Sequence, residues 1–582
     1  MKRASSFLAL FTALAVSVTS LAACSASSDS TTSDKESKSF ATGQSQQAEE
    51  SSEVTTTTPS GNDSEPDVEV TTVADAEITP QVLAYTKFSK TIEAQSGVFS
   101  GGIKEAKKRK GASKEKYLTG FNEAGKDSWS VDVELPSRQY YNIVLILGSD
   151  ELKVNSLMIN GEEYGKLTTD NSGKFQALGF ENVLLEQGVN SFAMGIVDGG
   201  IDFDYIKITA SNTVEKLNTA YGEKAPYLSN KKSDYHTQAV FNYLTSVYGS
   251  NIVSGQFATI GTSAETDAVY EITGHYPAIR FGDLISYTSE TTYANDVEVA
   301  REWAKQGGLV GYIWHWADPL GKDAYYTEET DFDLSKAVTK EDISQLSFEE
   351  LEKMNEEGTI SNECLALVRD IDTISQQLLT IQEDGVTVLW RPLHEASGGW
   401  FWWGHDVKSY KWLWALMYNR QTKYFGLNNL IWVWNGQNPD WYVGDKYCDM
   451  ISADIYDETG SSQLNAFLSL RRINENKPLA LSECGNAPDI QSFADEKVMW
   501  SFFSIWSGAY VIDEYGKYSE EYNTKQQMID LYSNNIVVCR DELPDFNAEA
   551  DKLKAAAEKA AADKKAAEEN KADKTDGSSK TE

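Results

Sequence analysis

The chain has 582 residues, 24% of them charged and 41% hydrophobic, and its 52 Lys+Arg against 88 Asp+Glu give a net charge of −36. That balance argues against a nucleic-acid partner, because nothing here neutralises phosphates in bulk. A mean hydropathy of −0.43, with no apolar run of about 20 residues beyond the N-terminus, excludes a multi-span membrane protein. Of 15 Trp, 14 lie between Trp303 and Trp506, which marks that region as the first place to look for function.

At the N-terminus, Lys2 and Arg3 precede an apolar stretch from about Phe7 to Val16, followed by Leu21-Ala22-Ala23-Cys24. A basic start, a short apolar core and small residues before a cleavage point form a secretory signal over residues 1–23. Leu-Ala-Ala-Cys resembles a bacterial lipobox. The resemblance implies cleavage before Cys24, a lipid on its thiol, and a protein held by its membrane anchor on the outer surface of a bacterial cell. Residues 24–84 are rich in Ser, Thr and acidic side chains; they bury too little apolar surface to offset ordering entropy and are expected to be a disordered tether. Of the other cysteines, Cys364, Cys448, Cys484 and Cys539 are scattered, with no Cys-x-x-Cys or Cys/His cluster. Neither a disulfide nor a zinc site is predicted.

Residues 85–212 read as short alternating runs broken by turns. Ser128–Leu135 alternates, Tyr140–Leu147 has the pattern of a buried strand, 156–161 ends in Asn160-Gly161, and 183–194 and Ile201–Ile208 complete the set. Several strands at this spacing without a helical period predict a β-sandwich. Ile92-Glu93-Ala94-Gln95, the Leu-x-x-Gly-x-Asn run at 185–190 and Asp202-Phe-Asp-Tyr-Ile206 resemble carbohydrate-binding module family 35. Such modules carry a structural calcium between an early Glu-Ala-Glu and a late Asp. Glu93 and Asp204 match those positions, while Gln95 stands where the second Glu is usual and offers an amide oxygen in its place.

Beyond Ser211 strands alternate with helical patterns. Candidate strands lie at 252–256, 278–281, 309–315, 386–391, 430–434, 449–454, 479–483 and 502–506. Eight strands in about 330 residues, over 215–545, predict a (β/α)8 TIM barrel, so the fold class is a multidomain chain, a β-sandwich followed by a barrel. The largest insertion, near 317–362, follows the third strand. Polar residues gather at the strand ends, where a barrel places its substrate site: His315, His394, Glu395, Asp454, Tyr456, Glu483 and Trp506. Two carboxylates in a cleft lined by indole rings suit glycoside hydrolysis, in which one protonates the leaving oxygen and the other attacks the anomeric carbon. The apolar wall of Trp400, Trp402 and Trp403 is expected to raise the pKa of Glu395.

The run Trp390-Arg-Pro-Leu-His-Glu-Ala-Ser-Gly-Gly-Trp-Phe-Trp-Trp-Gly404, with Trp314-His-Trp316, 441–449, Asp454-Ile-Tyr456 and Leu481-Ser-Glu-Cys-Gly485, resembles glycoside hydrolase family 26, the β-mannanases. The resemblance implies a retaining enzyme with Glu395 as acid/base and Glu483 as nucleophile. It further implies that His315 and His394 bond sugar hydroxyls in the central subsites, that Trp400 positions Glu395 and the leaving-side sugar, that Tyr456 holds the nucleophile, and that Trp506 is a stacking platform. The expected activity is endo hydrolysis of β-1,4-mannosidic linkages by a monomer that needs no cofactor for catalysis. Two alternatives stay open: a mixed-linkage β-glucanase or β-xylanase using the same glutamates, and a non-catalytic glycan-binding lipoprotein. Asp283 and Asp318 serve either as sugar contacts or as rim caps; His236, His275 and His405 are expected to be structural or exposed. The tail 546–582 has good helix formers and no apolar stripe, so a solvated, partly helical extension is predicted.

Overall fold

A computed structural model describes residues 78–576, apart from 82, 218–226, 290–295 and 322. The signal, Cys24 and most of the tether lie outside the described residues.

Residues 89–210 form two antiparallel sheets packed face to face, one of six strands and one of five. Alternation produces them: along Ser128–Leu135 the side chains of Trp129, Val133 and Leu135 turn into the core while Ser128, Asp132 and Glu134 face water. Trp129 packs edge-on against Phe203 with ring centroids 4.7 Å apart, and its indole N–H donates to the Ala94 carbonyl at 2.7 Å. Asn160 (φ 52°) and Gly161 (φ 95°) supply the paired positive φ values that join Lys153–Ile159 to Glu162–Thr169. The short strands Val98–Ser100, Lys104–Ala106 and Tyr117–Phe121, and Glu162–Thr169, carry no clear alternation in the sequence.

Eight parallel strands close into a barrel: β1 Gly255–Phe257, β2 Ile279–Asp283, β3 Leu309–Ile313, β4 Val388–Arg391, β5 Leu430–Trp434, β6 Met450–Asp454, β7 Leu479–Cys484 and β8 Phe503–Ile505. All eight were expected, with one correction. The run 252–256 divides, and Ile252–Val253 leaves the barrel to pair with Val537–Val538. Buried on both faces, these strands read as continuous apolar runs rather than alternating ones.

The sandwich is joined to the barrel by specific contacts. Tyr140, on sandwich strand Gln139–Gly148, enters the barrel's core cluster, and its hydroxyl donates to Glu496. Ser462 donates to the other oxygen of Glu496, and Asn182 donates to Asn465 at 2.9 Å. The C-terminal helix Phe546–Asp576 is exposed over residues 554–568, yet its first turns are docked. Phe546 is buried and meets Tyr243 and His236 edge-on, and Ala550 and Leu553 follow it on the same side. The expectation of a tail without an apolar face therefore fails over its first two turns, because three apolar side chains at i, i+4 and i+7 suffice for one contact.

Candidate active site

The chain leaves β4 through an unusual turn. Leu393 (φ 51°) and Glu395 (φ 52°) both occupy the left-handed region, a conformation that costs of order 1–3 kcal/mol for each such residue and persists only where the surroundings enforce it. The enforcement comes from the Glu395 backbone N–H, which donates to the Asn435 carbonyl (2.7 Å) and side-chain oxygen (2.9 Å). Gly398 and Gly399 then turn the loop back, so that the Trp400 indole donates to Glu395 Oε2 at 3.0 Å. The long β3 loop braces this turn through Thr327 N–H to the Trp400 carbonyl (2.7 Å) and Trp402 N–H to the Tyr325 carbonyl (3.1 Å).

Glu483, on β7, lies in the same cleft: Glu395, Asp454 and Glu483 each present a carboxylate oxygen within 4.8 Å of the others. Arg391, fully buried at the end of β4, donates to both Asp454 (2.6 Å) and Glu483. Tyr456 donates to Glu483 Oε2 at 2.8 Å. Asn435 donates to Asp454 (3.1 Å), Ser452 (3.2 Å) and Ser482 (3.0 Å), so one amide ties the acid's loop to strands β6 and β7. Sequence reasoning assigned no role to Arg391 or Asn435. Arg391 stands inside the Trp390–Gly404 signature, four residues before Glu395, and a charged residue closing an apolar strand run is all the sequence displays of it.

The two glutamates are tuned apart. Burial, then Asp454 and Glu483, push Glu395 well above the usual carboxylate range, against weaker pulls from Arg391 and the Trp400 indole. Burial and Asp454 push Glu483 up to about 7, opposed by the guanidinium and the Tyr456 hydroxyl that touch it directly. The carboxyl with a cation in contact loses its proton first.

His315 and His394 meet edge-on with ring centroids 4.6 Å apart. His315 is fixed by Asp283, whose carboxylate lies 2.5 Å from Nδ1 and accepts the His315 backbone N–H at 3.0 Å. His394 is held well below its ordinary pKa by burial, with His315 and Arg391 adding to the shift. Trp506 follows β8, half-buried, 4.6 Å from Phe257 and 6.2 Å from His315. Thus Glu395, Glu483, His315, His394, Trp400, Tyr456 and Trp506 converge. The indole wall needs correction: Trp402 and Trp403 are fully buried, their N–H groups spent on the Trp316 (2.6 Å) and His394 (2.9 Å) carbonyls, and only Trp400 touches Glu395. Asp318 caps its own loop by accepting from Leu320 N–H (2.7 Å) and Thr330. His236 bonds Thr387 at 2.8 Å, and His405 is exposed.

In the sandwich, Ser113 donates to both Glu93 (2.8 Å) and Asp204 (3.0 Å), and Lys114 lies 3.3 Å from Glu93. Burial raises the pKa of Asp204, with Ser113 opposing and Glu93 adding to the shift. Gln95 Oε1 is buried with no hydrogen-bond partner. Two carboxylates that share one hydroxyl, and an orphaned amide oxygen two residues from Glu93, fit a hard cation.

The profile of the family described as "Glycosyl hydrolase family 26" matches residues 229–542. The mannan endo-1,4-beta-mannosidase of Thermothelomyces thermophilus is 30% identical over 476 residues, 78% of this chain and 90% of that protein. Mannan endo-1,4-beta-mannosidase B of Piromyces sp is 30% identical over 80% of each chain. Among solved structures, a Podospora anserina GH26-CBM35 beta-(1,4)-mannanase is 28% identical with a TM-score of 0.51, covering 79% of this chain and 99% of that one. A ruminal GH26 endo-beta-1,4-mannanase, 24% identical with a TM-score of 0.59 over the same shares, is alike in fold. The chain belongs to glycosyl hydrolase family 26.

Proposed function

We propose that the protein hydrolyses internal β-1,4-mannosidic linkages in mannan-type polysaccharides by a retaining double displacement. The observation that carries this is the pair Glu395 and Glu483, with carboxylate oxygens within 4.8 Å and unlike partners. The mannan endo-1,4-beta-mannosidases named above supply the substrate. A retaining pair works at about 5–5.5 Å, whereas inversion needs room for a water at about 6.5–9.5 Å. Glu395, protonated, gives its proton to the leaving glycosidic oxygen while a Glu483 oxygen attacks the anomeric carbon. The glycosyl–enzyme ester removes the charge on Glu483, Glu395 is now ionised, and it takes a proton from the water that attacks the same carbon. Glu483 leaves as carboxylate and Glu395 regains its proton. Trp400 fixes the Glu395 carboxyl and faces the leaving-side sugar; Tyr456 and Arg391 hold Glu483; His315 and His394 bond sugar hydroxyls; Trp506 is the platform at the point of cleavage.

The same reading gives the sandwich the role of a sugar-binding module like family 35, with calcium at Glu93, Gln95 and Asp204. The ion would neutralise the paired carboxylates and pin the early strand to the late one. Calcium should then raise the melting temperature and EDTA should lower it; identical melting with and without calcium removes the ion from the account. We further propose a monomer, secreted and anchored to the outside of a bacterial cell by a lipid on Cys24. The function is tested by incubating protein that lacks residues 1–77 with mannan, galactomannan and mixed-linkage β-glucan, beside a Glu483→Ala control. Short manno-oligosaccharides of mixed length, absent from the control, support the proposal. Cleavage of the glucan alone refutes the substrate.

A further inference from the structure

The chain after β8 makes a detour beside the nucleophile. Ile512 bridges to Tyr518 in antiparallel fashion, Asp513 N–H donates to the Lys517 carbonyl at 2.8 Å, and the Asp513 carboxylate accepts the Tyr515 and Lys517 N–H groups at 2.9 Å each. The base of this hairpin is locked to the end of β7 by buried Asn523, which donates to the Gly485 (2.9 Å) and Tyr510 (3.0 Å) carbonyls and accepts the Ala487 N–H at 2.6 Å.

Aromatic rings line the detour from the reacting centre outward. Tyr456, bonded to Glu483, lies 5.7 Å from Tyr510, and Tyr510 lies 4.4 Å from Tyr522. Gly485 makes room for this run, since a Cβ there would stand 2.4 Å from the Tyr510 ring and 3.1 Å from that of Tyr456. Tyr522 is 37% exposed, and Tyr515, at the hairpin tip, is 81% exposed. The Tyr515 ring adds nothing to the core, yet its backbone is held by two hydrogen-bonded turns.

We propose that loop 508–523 is a distal subsite for the polysaccharide chain, with Tyr522, backed by Tyr510, as the platform for a pyranose ring remote from the scissile bond and Tyr515 as an outer contact. This rests on the mannan reading above. A polymer crossing the cleft must leave it over a rim loop, and here Tyr456, Tyr510 and Tyr522 form a row of contacting rings that starts at the nucleophile. The C–H faces of a pyranose stack on aromatic rings, and a platform already held rigid loses little entropy on binding. Affinity gained there is available only to substrates long enough to reach it.

The test is kcat/KM on mannotriose and mannohexaose for the full secreted chain and for Tyr522→Ala, Tyr522→Phe and Tyr515→Ala. For Tyr522→Ala the loss on mannohexaose should exceed that on mannotriose by about fivefold to tenfold, mostly through KM, while Tyr522→Phe, which keeps the ring, should stay near wild type. Tyr515→Ala, a substitution at an exposed tip, should show a smaller loss of the same kind. Equal losses on both substrates, or no loss on either, overturn the subsite. A wild-type chain that cleaves neither substrate overturns the mannan reading instead, so the two failures are distinguishable.

Discussion

Glu395 and Glu483 are the same residue type at the same face of one barrel, and their partners separate them. Glu483 has a guanidinium and a phenol hydroxyl in contact, whereas Glu395 has one indole N–H. The activity should therefore be bell-shaped in pH. It falls on the acid side as Glu483 gains a proton and on the alkaline side as Glu395 loses its own. The Tyr456 hydroxyl favours ionised Glu483, so Tyr456→Phe raises that pKa and moves the acid limb of kcat/KM upward, by about half a pH unit to one unit. The Trp400 N–H favours ionised Glu395, so Trp400→Phe should move the alkaline limb upward; a downward move would contradict the assignment of the acid. Glu395→Ala should cost about 10²–10⁴ in kcat on mannan. The loss should be far smaller on an aryl mannoside whose leaving group needs no proton, which steady-state kinetics would read directly. At this scale the juxtaposition of Glu395 and Glu483, the pair proposed for catalysis, was legible because a fifteen-residue signature surrounds Glu395. Arg391 and Asn435 were not, because their importance lies in partners 92 and 40 residues away.

At the scale of elements, the barrel strands were legible because each is buried on both faces and reads as an apolar run bounded by turns. The small sandwich strands were not, because Lys104–Ala106 and Glu162–Thr169 lie at sheet edges, where half the side chains face water and the pattern fades. Tryptophan misled in part. Of the clustered rings, Trp314, Trp316, Trp390, Trp402, Trp403, Trp414, Trp432, Trp434 and Trp500 are fully buried and build the core, while Trp400 and Trp506 reach the cleft. A Trp after paired glycines looks the same in sequence whether its neighbours point inward or outward. Where two elements meet, Tyr140 gives its hydroxyl to buried Glu496. Tyr140→Phe removes one of the donors to that carboxylate and should cost about 1–2 kcal/mol in denaturant unfolding. A variant as stable as wild type would show that the junction contributes nothing to stability.

For the molecule as a whole, the order of sandwich, barrel and helical tail follows from texture alone, since a period of two gives way to alternating strands and helices and then to an Ala/Lys/Glu helix. What texture does not carry is how the pieces attach. Tyr140, within a sandwich strand, and Phe546, at the start of the tail helix, each dock their segment on the barrel. Phe546→Ala should cost about 3 kcal/mol, toward the low end for a lost buried Phe because the site lies at the surface. Truncation after Ala557, which keeps the docked residues Phe546, Ala550 and Leu553, should leave thermal unfolding of the barrel within about 0.5 kcal/mol of wild type.

The most direct test of the central claim is the anomeric form of the first product. Borohydride-reduced mannohexaose, whose only reducing ends are those made by cleavage, treated with the wild-type enzyme inside a proton NMR tube should show β-anomeric manno-oligosaccharide first, with the α form appearing only as mutarotation proceeds. Early α-anomer, or no cleavage of a β-1,4-mannan chain at all, would contradict a double displacement through Glu483.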